Sequence, residues 1–364
     1  MRFQNCKIVG VGVDADAYHR DKQKIERGDP AFVMSPSSLK AFGRQPSRWR
    51  KGWNPPESKA QRWGKMLDCR VLTPNQFLSK YAPHPPTYRI RVLECPECGS
   101  QSKSATCKPC KTKRAPVDIE KPWRFGAAFT DAWLEEQESH GREAISETEC
   151  DDTITAGAAL YTEAGEWIDA CDTQVLVSGE YTAQNGLVIP VSCLIDFAPR
   201  FGTVFEDMLG DLKTCNCAHH IIFGREAFKY GYHLQAAFDL DLYNAATGQE
   251  RTTWAFLIQE SFSPWEVNRC IYGQELEMGN PGLIEMGRMQ YTRLLELYAD
   301  AVASGHWPRY NDVDKFSLAD GGWVILRPEP FQAERAEAMQ FVMPEEETEE
   351  EETNHEHEPE DVPN

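Results

Sequence analysis

The segments CLIDFAP (residues 193–199), LGDLKTC (209–215) and KYGYHLQAAF (229–238) decide the fold of this chain. The first two are apolar runs of strand length, and each contains one carboxylate, Asp196 in the first and Asp211 in the second. The third segment has the spacing of a helix, with apolar residues three and four positions apart. Two strands followed by a helix are therefore predicted to build one site.

Strand geometry brings the charged side chains of these segments together. Successive side chains of a strand alternate between its two faces, so Asp211 and Lys213 share a face while Leu212 points the other way. Asp196 reaches the same face if its strand is the neighbour. Two carboxylates on one face repel each other, and burial adds to that cost. A divalent cation between them removes it, and Mg²⁺ prefers such oxygen ligands and binds phosphate oxygens as well.

The same residues resemble the core motif of the PD-(D/E)xK nuclease superfamily, in which one acid precedes an acid-x-Lys triplet on the next strand. The helix bearing His233 and Gln235 resembles the RecE-type branch, the exodeoxyribonuclease VIII-like exonucleases. This resemblance covers about residues 34–80 and 170–312. Related nucleases often have a Tyr four residues after the Gln, where this chain has Asp239, so only the Gln carries over.

The resemblance implies an α/β (α+β) fold with a restriction-endonuclease-like core, a mixed central sheet flanked by helices. It also implies Mg²⁺- or Mn²⁺-dependent hydrolysis of linear double-stranded DNA from the 5′ end, in phage or bacterial recombination. The implied catalytic residues are Asp196, Asp211, Lys213, Gln235 and His233. The two Asp residues and the Leu212 carbonyl would bind the metal, and Lys213 would orient or deprotonate the attacking water. Gln235 and His233 would position the DNA strand or the water.

Partners and location follow from the same resemblance. RecE-type enzymes form ring-shaped oligomers and work beside a single-strand annealing protein, which implies duplex DNA, a RecT-like protein and further copies of this chain as partners. No apolar run is long enough to span a bilayer, and the N-terminus does not have the pattern of a signal peptide, so a cytoplasmic location is predicted. Two alternatives stay open: a RecB-like or CRISPR-adaptation nuclease, and a nuclease-derived protein that binds DNA without cutting it.

Two helices are predicted before the core motif. The first begins with Ser35 as N-cap and Pro36 at its first position. The second lies within residues 60–77. There Gly64 matches a glycine of the RecE-type family, and Asp68 stands where the family has a His near the metal. A carboxylate can bind Mg²⁺ at least as well as an imidazole can, so Asp68 is predicted to be a further ligand. An exposed helical Asp is the alternative.

A cysteine-rich insertion, residues 90–115, separates the two parts of the resemblance. Cys95 and Cys98 form one C-x-x-C pair, and Cys107 and Cys110 form a second. Four thiolates in two such pairs are typical of tetrahedral zinc, although an iron–sulfur cluster takes the same ligands. The segment also carries basic residues that predict contact with DNA: Lys103, Lys108, Lys111, Lys113 and Arg114.

The charge of the chain is unevenly distributed. The net charge is −19, of which −11 lies in residues 345–364, leaving −8 for the rest. By contrast, residues 40–70 contain nine Lys and Arg against two acids, a basic strip suited to phosphate contact.

The predicted domains are an N-terminal segment (1–33), a nuclease domain (34–312) interrupted by the insertion, a C-terminal extension (313–344) and a disordered acidic tail (345–364). Residues 123–140 are predicted to form a helix with Phe125, Phe129 and Trp133 in the core.

Overall fold

The computed structural model describes residues 3–22, 24–52, 56–273, 282–309, 318–319 and 323–324. The chain divides into two compact units, Met1–Arg309 and Tyr310–Asn364. The predicted acidic tail lies outside the described residues. None of the helices in the described part of the chain combines the length and the hydropathy needed to cross a bilayer.

The first unit contains ten helices and ten strands among its described residues. In chain order they are β1 (Phe3–Gly10), α1 (Ala15–Lys22), α2 (Pro36–Arg44), α3 (Pro46–Arg50), α4 (Lys59–Leu72), α5 (Phe77–Lys80), β2 (Tyr81–Pro83), β3 (Thr87–Glu94), β4 (Ala115–Pro122), α6 (Ala128–Ser139), β5 (Glu143–Ile145), α7 (Glu147–Asp169), β6 (Cys171–Thr182), β7 (Val188–Pro199), β8 (Met208–Cys215), α8 (His220–Lys229), α9 (Tyr232–Thr247), β9 (Thr253–Glu260), β10 (Val267–Tyr272) and α10 (Leu283–Ser304). A short 3₁₀ turn, Pro74–Gln76, precedes α5. In the second unit, β11 (Leu318–Ala319) pairs with β12 (Trp323–Val324).

A six-stranded sheet forms the centre of the first unit, in the order β1-β6-β7-β8-β9-β10. Strands β8 and β9 are parallel, and the other neighbours are antiparallel. The predicted mixed central sheet flanked by helices is therefore confirmed. Sequence patterning does not predict β1, which forms one edge of this sheet by pairing with β6.

Helices cover both faces of the sheet. On one face α2, α9 and α10 enclose the larger core, which includes Leu39, Phe238 and Leu295. On the other face α4 and α7 enclose a second core, which includes Leu160 and Leu212. The central strands are therefore shielded from water on both sides, and charged side chains on these strands are partly desolvated.

Local signals in the sequence explain how the first helices begin. The Ser35 hydroxyl accepts a hydrogen bond from the Ser38 N–H (3.3 Å), and Pro36 is the first residue of α2, as predicted. At α4 the Ser58 hydroxyl and the Gln61 side chain form a reciprocal capping box. These caps determine the residue at which each helix begins.

Two helix predictions were wrong in their extent. The helix predicted for the segment 229–238 is interrupted at Gly231, whose positive φ of 68° separates α8 from α9. The predicted helix over residues 123–140 begins only at Ala128. Its aromatic residues Phe125 and Phe129 are 65% and 48% exposed, so they do not belong to the core.

The cysteine-rich insertion forms an arm, which we define as β3, β4 and the residues between them. The strands pair antiparallel over their full length, from Thr87 opposite Pro122 to Glu94 opposite Ala115. Nearly all residues of β4 are exposed, so the arm is not part of either core. We call residues 95–114 the arm tip.

The closest approach of α9 and α10 provides a test of this packing. A Cβ built on Gly287 would lie 2.1 Å from the backbone oxygen of His233, so Gly287→Ala must push the helices apart. We expect a loss of about 3 kcal/mol in the free energy of unfolding, measured with urea. Gly224→Ala is the control, because a Cβ there meets open space on α8 and removal of a helical glycine is neutral or stabilising. Equal stability of both variants would contradict the close helix contact.

Candidate active site

Strands β7 and β8 bring the two predicted carboxylates together. Phe197 pairs with Gly210, and in an antiparallel register the next residues along, Asp196 and Asp211, then lie opposite each other. Asp211 is 5% exposed and forms an ion pair with the Lys213 ammonium on the same strand face. The intervening Leu212 side chain packs into the second core on the other face.

Asp196 is held in place by two hydrogen bonds to its carboxylate. The backbone N–H of Leu212 donates to one oxygen (2.9 Å), and the Gln174 side-chain amide of β6 donates to the other (2.9 Å). Gln174 has a positive φ of 50°, a conformation that costs a non-glycine residue on the order of 1 kcal/mol or more. The strained backbone thus lies directly beside the carboxylate that it helps to orient.

Helix α4 adds Asp68 to the cluster. Gly64 lets the helix lie close to β8, because a Cβ at this position would meet the Thr214 hydroxyl at 3.1 Å. Asp68 follows one turn later on the same face of α4. Burial raises the pKa of Asp68 to about 7, with Lys213 lowering it and Asp211 raising it, which places the three groups within electrostatic reach of one another.

Helix α9 contributes Gln235 and brings a second lysine into the site. The Gln235 amide donates to the Asp211 carboxylate (3.2 Å), while its oxygen accepts from the Lys40 ammonium of α2 (3.1 Å). The ammonium groups of Lys40 and Lys213 lie 5.2 Å and 5.1 Å from the ring centre of Tyr232. Burial and the nearby Lys213 lower the pKa of Lys40 to about 8.

The structure places His233 and Asp239 differently from Gln235. His233 bonds to the side-chain oxygen of Gln290 (2.8 Å) and stacks on Phe228, so its ring lies in the contact between α9 and α10. His233 and Gln235 are two residues apart on a helix and therefore face nearly opposite directions. Asp239 is buried one turn beyond Gln235, and one of its oxygens has no hydrogen-bond partner among the described residues.

The electrostatics of this cluster are dominated by excess negative charge. Burial, then the nearby Asp211 and Asp68, raises the pKa of Asp196 well above its usual value. Burial and Asp211 do the same for Asp239. Burial works to lower the pKa of Lys213, but attraction to Asp211 prevails and raises it. Oxygen-only donors with more acids than cations are the ligand chemistry that suits Mg²⁺ or Mn²⁺.

The four predicted thiols of the arm tip form a second cluster. Their sulfur atoms all lie within 4.8 Å of one another, and those of Cys98 and Cys107 are 3.6 Å apart. Tetrahedral zinc with Zn–S bonds near 2.3 Å requires sulfur atoms about 3.8 Å apart. Among the described residues this is the group of cysteines that can hold a metal ion such as zinc.

Arg114 has a structural role in the arm tip instead of the predicted DNA contact. Its side chain is 9% exposed and donates to the carbonyl oxygens of Ser100, Ser104 and Thr106. These bonds connect the two halves of the tip. The Arg114 guanidinium is engaged in these internal hydrogen bonds and is therefore not available to contact phosphates.

The basic strip of residues 40–70 is partly neutralised. Arg62 forms ion pairs with Glu143 and Glu149, and Lys65 pairs with Glu57. Arg50 pairs with Glu26, and Lys40 points into the carboxylate site. The strip is therefore less uniformly basic in the fold than in the sequence.

Sequence reasoning missed several residues of the site. Lys40 and Gln174 lie far from the motif in sequence, and no local pattern marks either of them. Asp239 was noted as a departure from the family, but its burial beside Asp211 was not predicted. Asp239 follows Gln235 by four residues, and this spacing could have predicted that both side chains lie on the same face of the helix.

Comparisons with known proteins assign neither a family nor an activity. No protein-family model and no curated protein matches the chain. A solved structure of a candidate exonuclease from Eubacterium rectale is 11% identical with a TM-score of 0.47, covering 90% of this chain and 99% of its own. Rai1 from Scheffersomyces stipitis, solved with 3′-NADP⁺ and calcium, is 10% identical with a TM-score of 0.24, covering 68% and 60%.

The raised pKa of Asp68 predicts a pH-dependent stability of the metal-free protein. A carboxyl whose pKa is about 7 in the folded state and near 3.8 when unfolded destabilises the fold above pH 7, and this cost fades as the pH falls toward 4. We therefore expect Asp68→Asn to be more stable than the wild type at pH 8, with the difference shrinking toward pH 5.

Urea unfolding of both proteins without divalent metal checks this expectation. Burial lowers the pKa of His233, so His233 also contributes to the pH dependence of stability. This contribution is common to both proteins and cancels in the difference between their free energies of unfolding. Asp131→Asn, on an exposed position of α6, is the matched control for the loss of one acid outside the cluster. A wild type as stable as Asp68→Asn at pH 8 would contradict the carboxylate cluster.

The thiol cluster predicts about one zinc ion per purified chain. Changing Cys95 and Cys98 to Ser removes two of four ligands and should abolish zinc binding, measured by elemental analysis. Cys6 and Cys270 lie outside the cluster, and changing both to Ser should leave the zinc content unchanged. Bound iron with absorption in the visible range would show that the four thiols hold an iron–sulfur cluster. Folded protein that contains no metal would refute the metal site.

Proposed function

We propose that this protein is a Mg²⁺- or Mn²⁺-dependent exonuclease that hydrolyses linear double-stranded DNA, as a RecE-like enzyme, from 5′ to 3′. The observation that carries the proposal is that Asp68, Asp196, Asp211 and Lys213 lie within electrostatic reach of one another, with Asp211 and Lys213 in an ion pair. This donor set suits a divalent cation, and such a cation beside a lysine is the chemistry that phosphodiester hydrolysis needs.

The metal ligands in this proposal are Asp196, Asp211 and the Leu212 carbonyl, with Asp68 as a further carboxylate. When bound, the cation supplies Lewis-acid activation of the phosphoryl oxygen and stabilises charge on the leaving 3′-oxygen. The protein holds these ligands in position beforehand, because Leu212 N–H and Gln174 fix Asp196. Preorganised ligands avoid the cost of rearrangement during the reaction.

Lys213 and Gln235 complete the site beside Asp211. As an ammonium ion, Lys213 can donate hydrogen bonds to the attacking water and to a phosphoryl oxygen, and its bond to Asp211 fixes its direction. Gln235 bridges Asp211 and Lys40, so it can set the distance between the carboxylates and a second positive charge. Lys40 is then placed to bind a phosphate of the same strand. His233 supports α9 in this proposal and does not touch the substrate.

The biological setting is proposed with the activity. A RecE-like enzyme acts in phage or bacterial recombination, in the cytoplasm, with a RecT-like annealing protein and as a homo-oligomer. These proposals rest on the resemblance of the motif Asp196, Asp211, Lys213 and Gln235. Linear duplex DNA is the proposed substrate.

Cleavage of end-labelled linear duplex DNA with Mg²⁺ tests the proposal. Label at the 5′ end should be released first as mononucleotide, while 3′ label remains on long fragments and closed circular DNA stays intact. Release from the 3′ end would favour another nuclease of the superfamily. Binding of the duplex without cleavage of either label would refute the enzyme and leave a DNA-binding protein.

Substitutions in the site test its residues. Asp211→Asn should eliminate Mg²⁺-dependent cleavage, because it removes a charged ligand. Lys213→Ala should lower the rate roughly 10²- to 10⁴-fold, the range for a group that assists proton transfer. Initial rates at saturating DNA measure both, and Asp131→Asn on the exposed face of α6 is the control. Near-normal turnover in either site variant would show that the site is wrongly assigned.

A further inference from the structure

The arm carries its charges in two different ways along its length. On the stem, Arg89 pairs with Glu120 (3.0 Å) and Arg91 pairs with Asp118 (2.9 Å), each across the ribbon. The stem is therefore electrically balanced. At the tip, Lys103, Lys108, Lys111 and Lys113 are all exposed, and within the described part of the chain none of them forms an ion pair.

The arm tip is strongly basic in a chain that is acidic as a whole. Residues 95–114 contain five basic side chains and one acid, Glu97. One zinc ion with four thiolates has a net charge of −2, so the loaded tip stays positive. Because the stem is balanced and the protein carries −19 in total, this charge is a local feature that a polyanion can detect within a Debye length of about 8–10 Å.

The composition of the arm tip indicates the kind of partner. Residues 95–114 contain no Phe, Tyr, Trp, Leu, Ile, Val or Met. Protein interfaces depend on buried aromatic, apolar and Arg anchors, and single-stranded bases are bound by stacking on aromatic rings. The tip offers neither, since its one Arg is buried in internal hydrogen bonds. Exposed lysines on a rigid support suit sequence-independent contact with phosphates.

The shape of the arm fits a duplex. Eight paired residues in each strand give a stem about 24 Å long, and a two-stranded ribbon fits the major groove of B-DNA. A ribbon of two strands is marginally stable alone. The Arg114 bonds connect the two halves of its tip, and a metal ion bound by the four thiols would tie these halves together further.

We propose that the metal-bound arm tip binds the phosphate backbone of double-stranded DNA through Lys103, Lys108, Lys111 and Lys113, outside the candidate active site. The proposal rests on the proposed function, which makes duplex DNA the polyanion that this protein meets. The arm would hold the duplex that has not yet been degraded. Its contribution is to affinity, and the chemistry stays with the carboxylates.

Equilibrium binding to a fluorescent 30-base-pair duplex tests the arm without cleavage. The full zinc-loaded chain is used without Mg²⁺ or chelator, over a series of salt concentrations. Changing all four lysines to Gln should weaken binding at least tenfold at low salt. The slope of log K against log salt should also become shallower by about 3 to 4, since each phosphate contact contributes about 0.9.

A charge-matched control separates the arm from general electrostatics. Changing Lys7, Arg20, Arg225 and Arg269 to Gln removes the same four charges from exposed positions outside the arm. This control should weaken binding by less than about threefold and change the slope by less than 1. Equal effects of the two quadruple variants, or no effect of the arm variant, would overturn the proposal. Zinc content of the arm variant must equal that of the wild type.

A second variant tests the role of the metal. Cys95→Ser with Cys98→Ser should lower DNA affinity nearly as much as the four Lys changes, because the tip loses its fixed geometry. Full affinity in this variant would overturn the metal-supported surface. The two proposals fail separately: arm-dependent binding without cleavage on addition of Mg²⁺ refutes the nuclease and leaves the arm, whereas cleavage with arm-independent binding does the reverse.

Discussion

The cost of keeping several carboxylates together in a partly buried site is the constraint on which the arrangement of this protein depends. Asp196 and Asp211 lie opposite each other on adjacent strands, Asp68 approaches from α4, and Lys213 supplies the nearest positive charge. Burial first, and the neighbouring carboxylates second, raise the pKa values of Asp68 and Asp196. Keeping such groups together without a cation lowers stability, and this cost is the physical argument for the proposed divalent cation.

The rest of the first unit serves to hold these charges at fixed positions. Two hydrophobic cores cover the sheet, so β7 and β8 cannot move without disturbing one of them. Helix α9 is buried along most of its length and aims Gln235 at Asp211. The strained Gln174 stands directly beside Asp196, which is where stored backbone strain is most often found in functional sites. The cysteine-rich arm belongs to neither of the two cores.

The sequence predicted what depends on local geometry. Alternation along a strand placed Asp211 with Lys213 and Leu212 in the opposite core, and the two C-x-x-C pairs predicted a four-thiol cluster. The mixed sheet flanked by helices followed from the resemblance and is confirmed. Long-range contacts could not be read in the same way: Lys40 and Gln174 reach the site through packing of distant elements. The break at Gly231 was also missed, because an isolated glycine in a helical pattern does not reveal its φ.

The most direct test of the central claim is an X-ray structure of the protein soaked in Mn²⁺, with anomalous data collected at the manganese edge. The account predicts an anomalous peak between Asp196 and Asp211, within coordination distance of the Leu212 carbonyl and with Asp68 facing it. A cluster that holds no manganese at millimolar concentration, while the carboxylates keep the arrangement described above, would contradict the claim.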